Sequence, residues 1–415
     1  MTKYIFITLI IIAFVYDIAM FALADSRKNK PLPENVRDIY DADEYAKWRS
    51  YKAENTRLGA VESFCTFAVT LLLFATNVFS AVYYAFVDAF GGFEGIGGNI
   101  PASVVTLALY TVLISVLSIP FDYCGSMVIE EKYGFNRTTK KTFFLDFLKN
   151  LIANLIINLG LYIIAVLLYR GMGKYFIIPV FAFLAVFTLA VSALSLPMQK
   201  IFNKFTPLDN CELRASLAEL FENNGYSLGE VYVMDASRRT TKVNAFCTGI
   251  GKFKNIVLYD NLVNNYSPDE IKAVFAHELG HYKHKDTAKM TIYSLFMMLC
   301  LTVVISSLVL LPAVSVDYGF EVTNVMFALI SAMSVVMTPI MTLLTIPSSI
   351  LGRRYEYRAD RFAAENDCSD ALISSLKKLT RDNMGDLNPH PAIVFLEHNH
   401  PTLSQRISAI ERAKK

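Results

Sequence analysis

The 415 residues are 54% hydrophobic and 18% charged, with a mean hydropathy of +0.38. That balance excludes an ordinary soluble enzyme and reads as a membrane protein. A formal net charge of +2 excludes a strongly basic nucleic-acid binder, and the six cysteines stand singly, with no Cys-x-x-Cys pair to build a disulfide or thiolate-metal framework.

Residues Ile5 to Ala24 form the first apolar run, about 20 residues or roughly 30 Å as a helix, enough to cross the hydrocarbon layer. The run is long and preceded only by Lys3, so it reads as an uncleaved span rather than a signal peptide. Asp17 within it must face protein or water. A polar stretch with Pro31 and Pro33 follows, then a mixed-charge segment, Asp38 to Arg57, of helical composition. Phe64–Val87, Ala102–Phe121, Leu151–Tyr169 and Tyr175–Pro197 are each uncharged and long enough to span, and so are Thr291–Ala313 and Asn324–Pro347 further on, giving seven. Prolines 120, 179, 197, 339 and 347 lie in or at the ends of these spans, where a kink frees backbone groups that must find partners inside the protein.

Loop charge sets an orientation. Eight Lys or Arg separate the first two spans and five more lie at Lys132, Arg137, Lys140, Lys141 and Lys149, whereas residues 88–101 and 314–323 carry none. The positive-inside rule then places the N-terminus outside and, on the cytoplasmic side, residues 198–290 and everything after Pro347. The sequon Asn136-Arg137-Thr138 falls on that side and is expected to stay unglycosylated. Four parts result: spans one to five in 1–197, a soluble insertion in 198–290, spans six and seven in 291–350, and a helical C-terminal part in 351–415.

The insertion reads as a helix at Cys211–Asn223, strands at Glu230–Met234, Lys242–Cys247 and Asn255–Tyr259, and a second helix. Ser267 is its N-cap, Pro268 its first residue and Glu270 the partner in a capping box. That helix carries His277-Glu278-Leu279-Gly280-His281. Residues four apart share a helical face, so His277 and His281 can aim ring nitrogens at one point, a spacing that suits two ligands of a tetrahedral Zn²⁺. Glu278 projects from a neighbouring angle, placed to take a proton from water without being a ligand. Glu356, directly after the last span, is the candidate third ligand; Asp360, four residues on, shares its face and can accept the free ring N–H of a ligating histidine. Asn244-Ala245-Phe246 is a candidate sheet edge for an extended peptide, although an ordinary core strand fits the same pattern. Near the C-terminus, His400 and Arg406 can donate to an oxyanion, although the residues alone favour a surface loop followed by a capped helix, Thr402–Lys414. His284 reads as exposed rather than as a ligand.

These residues resemble the type I CAAX prenyl proteases, integral-membrane zinc endopeptidases with seven spans. The resemblance covers Glu130-Glu131-Lys132-Tyr133-Gly134-Phe135-Asn136, Asn203-Lys204-Phe205, Asn244-Ala245-Phe246, His277 to His281, Arg353 to Asp360 and His400-Pro401. The first of these is specific, since related heat-shock-type membrane peptidases share the metal site but are shorter, with fewer spans. Tyr282-Lys283-His284-Lys285-Asp286 departs from the family pattern.

The resemblance implies an α-helical membrane protein whose seven transmembrane helices enclose a water-filled chamber, capped by a small α+β zincin-like peptidase domain. It implies one Zn²⁺ per chain on His277, His281 and Glu356, with Glu278 as general base and Asp360 behind the ligands. Asn244, Ala245 and Phe246 bind substrate, and His400 and Arg406 lie near the transition-state oxygen. The implied substrate is a prenylated Cys-a-a-X C-terminus, cut after the modified cysteine. The implied surroundings are a lipid bilayer, that of the endoplasmic reticulum in a eukaryote or the inner membrane in a bacterium, with no nucleic-acid partner. Two alternatives stay open: a quality-control protease using the same chamber, and a non-catalytic transporter or scaffold whose metal is structural. A structural site fills its fourth position with protein, and no fourth ligand suggests itself here.

Overall fold

The computed structural model describes residues 1–90, 95–193, 203–208, 211–238, 240–248 and 253–414; the predicted end of span five, 194–197, lies outside them, and of Phe246 only the backbone is described. The N-terminal half comprises α1 (Thr2–Ser26), α2 (Ala42–Ala75), a shorter α3 (Val78–Phe90), α4 (Ile100–Tyr133), α5 (Lys140–Met172) and α6 (Ile177–Ala193). The mixed-charge segment and the second span fuse into the single 34-residue α2, opened by a capping box between Asp41 and Glu44 and uninterrupted by proline. It ends at Ala75, so the predicted run to Val87 is split between α2 and α3. The fourth and fifth predicted spans fall in one 51-residue apolar stretch, broken by a 3₁₀ turn where Gly173 takes φ +54°. Six helical stretches among the described residues are therefore long and apolar enough to cross a membrane. Many large apolar side chains on them stand exposed, among them Ile156, Leu167, Ile178, Val186, Ile292 and Leu343, as lipid-facing positions require.

An aromatic cluster that includes Phe6, Phe74, Tyr83, Tyr318 and Phe327 packs the spans. Asp17 accepts from Ser63 Oγ at 2.7 Å and lines a cavity of about 390 Å³ that mixes Glu62, Thr66 and Ser334 with Phe14, Phe21 and Phe67, so the carboxylate has a polar partner between the helices.

The insertion contains β1 (Phe205–Pro207), α7 (Cys211–Asn223), β2 (Ser227–Met234), β3 (Ala245–Thr248), β4 (Phe253–Tyr259), α8 (Asp260–Asn265) and α9 (Pro268–Lys283). The sheet order is β1-β2-β4-β3, with β2 and β4 parallel and the outer strands antiparallel to their neighbours. Strand β1 was not legible in the sequence: three residues are too few for an alternating pattern. Leu217, Phe221, Val231, Ile256 and Leu258 form a core against Ile271, Phe275 and Leu279 of α9. The Glu130–Asn136 run ties α4 to this unit: Glu130 pairs with Lys242 at 2.6 Å, Arg137 donates to Ser237 O, and Asn136 bridges Thr240.

Beyond α9 come α10 (Asp286–Leu310), α11 (Pro312–Val316), α12 (Val325–Glu365), α13 (Ser369–Asp382), α14 (Pro391–Leu396) and α15 (Leu403–Ala413). Helix α12 does not stop at Pro347 but continues to Glu365. Beside the proline, the Tyr293 hydroxyl donates to Leu344 O at 2.5 Å. The same helix thus carries an apolar span and the Glu356–Asp360 pair.

Candidate active site

Helix α9 begins as read: Ser267 Oγ accepts from the Glu270 N–H and Glu270 Oε2 from the Ser267 N–H, at 3.2 and 2.9 Å. Glu270 also takes Ser374 Oγ and Lys378 Nζ of α13, which fixes the start of α9 against that helix. Burial pushes its carboxyl pKa up, but these donors outweigh that and hold it below its ordinary value.

Within α9, Gly280 permits a close crossing over α12. A Cβ there would lie 2.9 Å from Ala359 Cα and 3.1 Å from Phe362 Cβ. The crossing places His277 and His281 beside Glu356. The two Nε2 atoms are 3.2 Å apart; His277 Nε2 is 3.5 Å from Glu356 Oε2 and His281 Nε2 3.3 Å from Oε1. Ligands about 2.0–2.1 Å from a tetrahedral zinc are about 3.3–3.4 Å from one another; here each histidine approaches a different oxygen of Glu356 near that distance, and one atom from each residue lies within 4.8 Å of the others, close enough to converge on one ion. Glu356 Oε2 is buried and makes no hydrogen bond, although Arg406 Nη1 lies at ion-pair distance, 3.3 Å, which leaves a lone pair available to a metal ion. Among the described residues this is the one cluster of three such groups able to hold a metal.

Behind the cluster, His277 Nδ1 meets Asp360 Oδ1 at 2.9 Å, and Arg406 grips Asp360 through Nε at 2.9 Å and Nη2 at 2.6 Å. Arg406, expected beside the transition-state oxygen, packs largely buried against these carboxylates, with Nη1 3.3 Å from Glu356 Oε2. Desolvation works against its charge, but Asp360 and Glu356 more than compensate and raise its pKa, so it stays a cation. For His281, burial depresses the charged form, yet Glu356 and Asp286 prevail and hold the pKa up at about 8.

His400 reaches the cluster from the loop before α15, its Nε2 3.3 Å from Glu356 Oε1 and its Nδ1 2.7 Å from Asn399 Oδ1. Gly352 makes room for that loop: a Cβ there would meet Asn399 O at 2.8 Å. Arg353 donates to the carbonyls of Val394 and His398 and fixes the loop to α12. Desolvation, opposed by Glu356 and reinforced by Arg406, keeps the His400 pKa below the ordinary imidazole value.

Glu278 is half-buried one residue beyond His277, near enough for its charge to act on His281 and Arg406. Strand β3 is an edge of the sheet; Asn244 at its start is exposed, with its carbonyl accepting from Tyr259. No hydrogen bond joins Asn244 or Ala245 to the histidine cluster among the described residues. His284 is half-exposed and outside the cluster, as expected. The sequence reading missed Asp286 and Arg358, which lie on the His281 side, and the two glycine crossings.

Comparison with known proteins agrees with this geometry. A family model described as "CAAX prenyl protease N-terminal, five membrane helices" matches residues 22–204, and "Peptidase family M48" matches residues 207–414. "CAAX prenyl protease 1 homolog" of Dictyostelium discoideum is 30% identical over 392 residues, covering 92% of this chain and 89% of that protein. "Probable CAAX prenyl protease 1" of Schizosaccharomyces pombe is 29% identical, with 92% and 82% covered. The crystal structure of S. mikatae Ste24p superposes with a TM-score of 0.89 at 26% identity, covering 99% of each chain. With one family model spanning half the sequence and relatives aligned along nearly all of it, the chain belongs to the CAAX prenyl proteases of peptidase family M48, membrane-embedded metallopeptidases.

Proposed function

We propose that this protein is a zinc endopeptidase that removes the C-terminal tripeptide from prenylated Cys-a-a-X proteins inside a chamber formed by seven spans. The observation that carries the reading is the convergence of His277 Nε2, His281 Nε2 and the Glu356 carboxylate within ligand reach of one point, with Glu278 near enough for its charge to act on His281. The relatives' names supply the substrate class. The cavity around Asp17, which brings Glu62, Ser63 and Thr66 together between the helices, is in keeping with polar groups in the interior, and the loop charges argue for an outside N-terminus and a cytoplasmic site. The membrane is that of the endoplasmic reticulum in a eukaryotic host and the inner membrane in a bacterial one.

His277, His281 and Glu356 would hold the ion. Bound there, zinc would supply Lewis-acid polarisation of the scissile carbonyl and hydroxide at neutral pH. Glu278 takes the proton from the attacking water and returns it to the leaving amine. His400, its Nε2 turned to the cluster 3.3 Å from Glu356 Oε1, is placed beside the oxygen that becomes negative. Arg406 keeps Asp360 and Glu356 ionised and in place, and Asp360 fixes the His277 ring. The free side of β3, from Asn244 through Ala245 and Phe246, pairs with the extended substrate backbone.

The test is cleavage of matched prenylated and unprenylated Cys-a-a-X peptides by wild type and Glu278→Gln. Lipid-dependent cleavage by wild type after the modified cysteine, with a loss of about 10²–10⁴-fold in the zinc-loaded variant, is the expected result. Equal cleavage of both peptides would replace the prenyl-protein reading by general membrane quality control; no cleavage by zinc-loaded wild type would sink the catalytic reading.

A further inference from the structure

We infer that Asp286 is a positioning residue for the metal centre: it holds His281 in the tautomer that leaves Nε2 free, and Arg358 anchors it. The inference rests on the metal-site reading above and adds a residue outside both the His-Glu-x-x-His pattern and the Glu356–Asp360 pair.

Asp286 is buried. Its Oδ2 lies 3.1 Å from His281 Nδ1, and its Oδ1 accepts from Arg358 Nη2; Lys289 Nζ is more distant at 3.9 Å. A carboxylate can only accept, so the proton of the neutral ring is fixed on Nδ1 and the Nε2 lone pair points at the ligand cluster. The arrangement repeats the one behind the first histidine, where Asp360 faces His277 Nδ1 and Arg406 holds Asp360. Each ring has one carboxylate behind it, and each carboxylate has one guanidinium.

The backbone is shaped to bring this about. Asp286 lies five residues after His281, off the helical face that four-residue spacing would share. Lys285 takes φ +56°, a left-handed conformation that costs a non-glycine residue roughly 1–2 kcal/mol, and it separates the end of α9 from Asp286, which opens α10. The residue that orients a ligand therefore also starts a membrane-spanning helix, with its negative charge at the favourable end of the helix dipole. Lys285 and Asp286 lie in the segment that departs from the family pattern, so the ligand-orienting group is one that the family motifs did not point to.

The experiment is zinc affinity by chelator competition on full-length protein in detergent, with thermal unfolding measured in parallel. Asp286→Asn leaves one oxygen for two donors and lets an amide N–H face Nδ1, which moves the ring proton to Nε2. Zinc affinity is expected to fall by about 10–100-fold. Wild-type affinity combined with a lowered unfolding temperature would overturn the inference, since Asp286 would then serve only α10 and Arg358. Should Asp286→Asn fail to fold, Arg358→Gln decides: weakened zinc binding supports the role, and unchanged binding overturns it. A wild-type protein that holds no zinc would bring down the metal-site reading itself, and this inference with it.

Discussion

Gly280→Ala tests how the ligand set is assembled. The new Cβ would stand 2.9 Å from Ala359 Cα, main chain of α12 that cannot rotate away, and 3.1 Å from Phe362 Cβ. Carbon contacts settle at about 3.5–4.0 Å, so the two helices must part by roughly 0.6 Å or more. His277 and His281 ride on α9 and Glu356 on α12, so the 3.3 and 3.5 Å separations between the proposed ligands lengthen and the three groups converge less well on one ion. In stability, alanine gains about 1 kcal/mol over glycine in a helix, while overpacking costs about 1–3 kcal/mol, leaving a net loss of about 0–2 kcal/mol. Metal binding suffers more, because the opening acts directly between ligands. Chelator competition and thermal unfolding on the same preparations are the assay: zinc affinity should drop by about tenfold or more, the equivalent of about 1.4 kcal/mol, with an unfolding shift of only a few degrees. A variant that binds zinc as wild type does would refute the claim that this glycine sets the ligand spacing.

Three further outcomes are expected. Arg406→Met leaves the buried Asp360 without its cation and should destabilise the fold by roughly 3–5 kcal/mol, read by chemical unfolding; a loss below about 1 kcal/mol would contradict the buried pairing. Because Glu270 titrates below its ordinary 4.5, the stability it contributes is complete above that pH and is lost as pH falls through the folded value; Glu270→Gln should therefore show a smaller loss of unfolding temperature on acidification than wild type. Metal loading displaces the proton that His281 carries up to about pH 8, so chelator competition at pH 6.5 should give weaker zinc binding than at pH 8.5; equal affinities would argue that His281 is no ligand.

What the sequence revealed follows from spacing along single helices. His277, Glu278 and His281 lie within five residues of α9, and Glu356 and Asp360 one turn apart on α12, so i, i+4 reasoning finds them. The start of α9 was legible because Ser267, Pro268 and Glu270 form a local signal. Asp286 escaped because its approach to His281 depends on one left-handed residue between two helices, and a lysine gives no sign of that conformation. Arg358 lies two residues from Glu356, on another face of the same helix, and nothing in its charged surroundings marks it. Gly280 and Gly352 stand in the sequence as plain glycines; their meaning comes from backbone that crosses them. The span boundaries slipped for a related reason: hydropathy reports apolar length, whereas α2 and α12 are helices that outrun their apolar portions.

Arg406 lies 129 residues beyond His277, with Glu356 between them. At a synthesis rate of about 5–20 residues per second, roughly 6–26 s pass between the making of the first histidine and of the arginine that holds Asp360. For the first 79 residues of that interval the half-made centre has two histidines and no Glu356, and for the last 50 Asp360 and Glu356 stand without their arginine. The supported centre is thus assembled only after both of the later spans have been made.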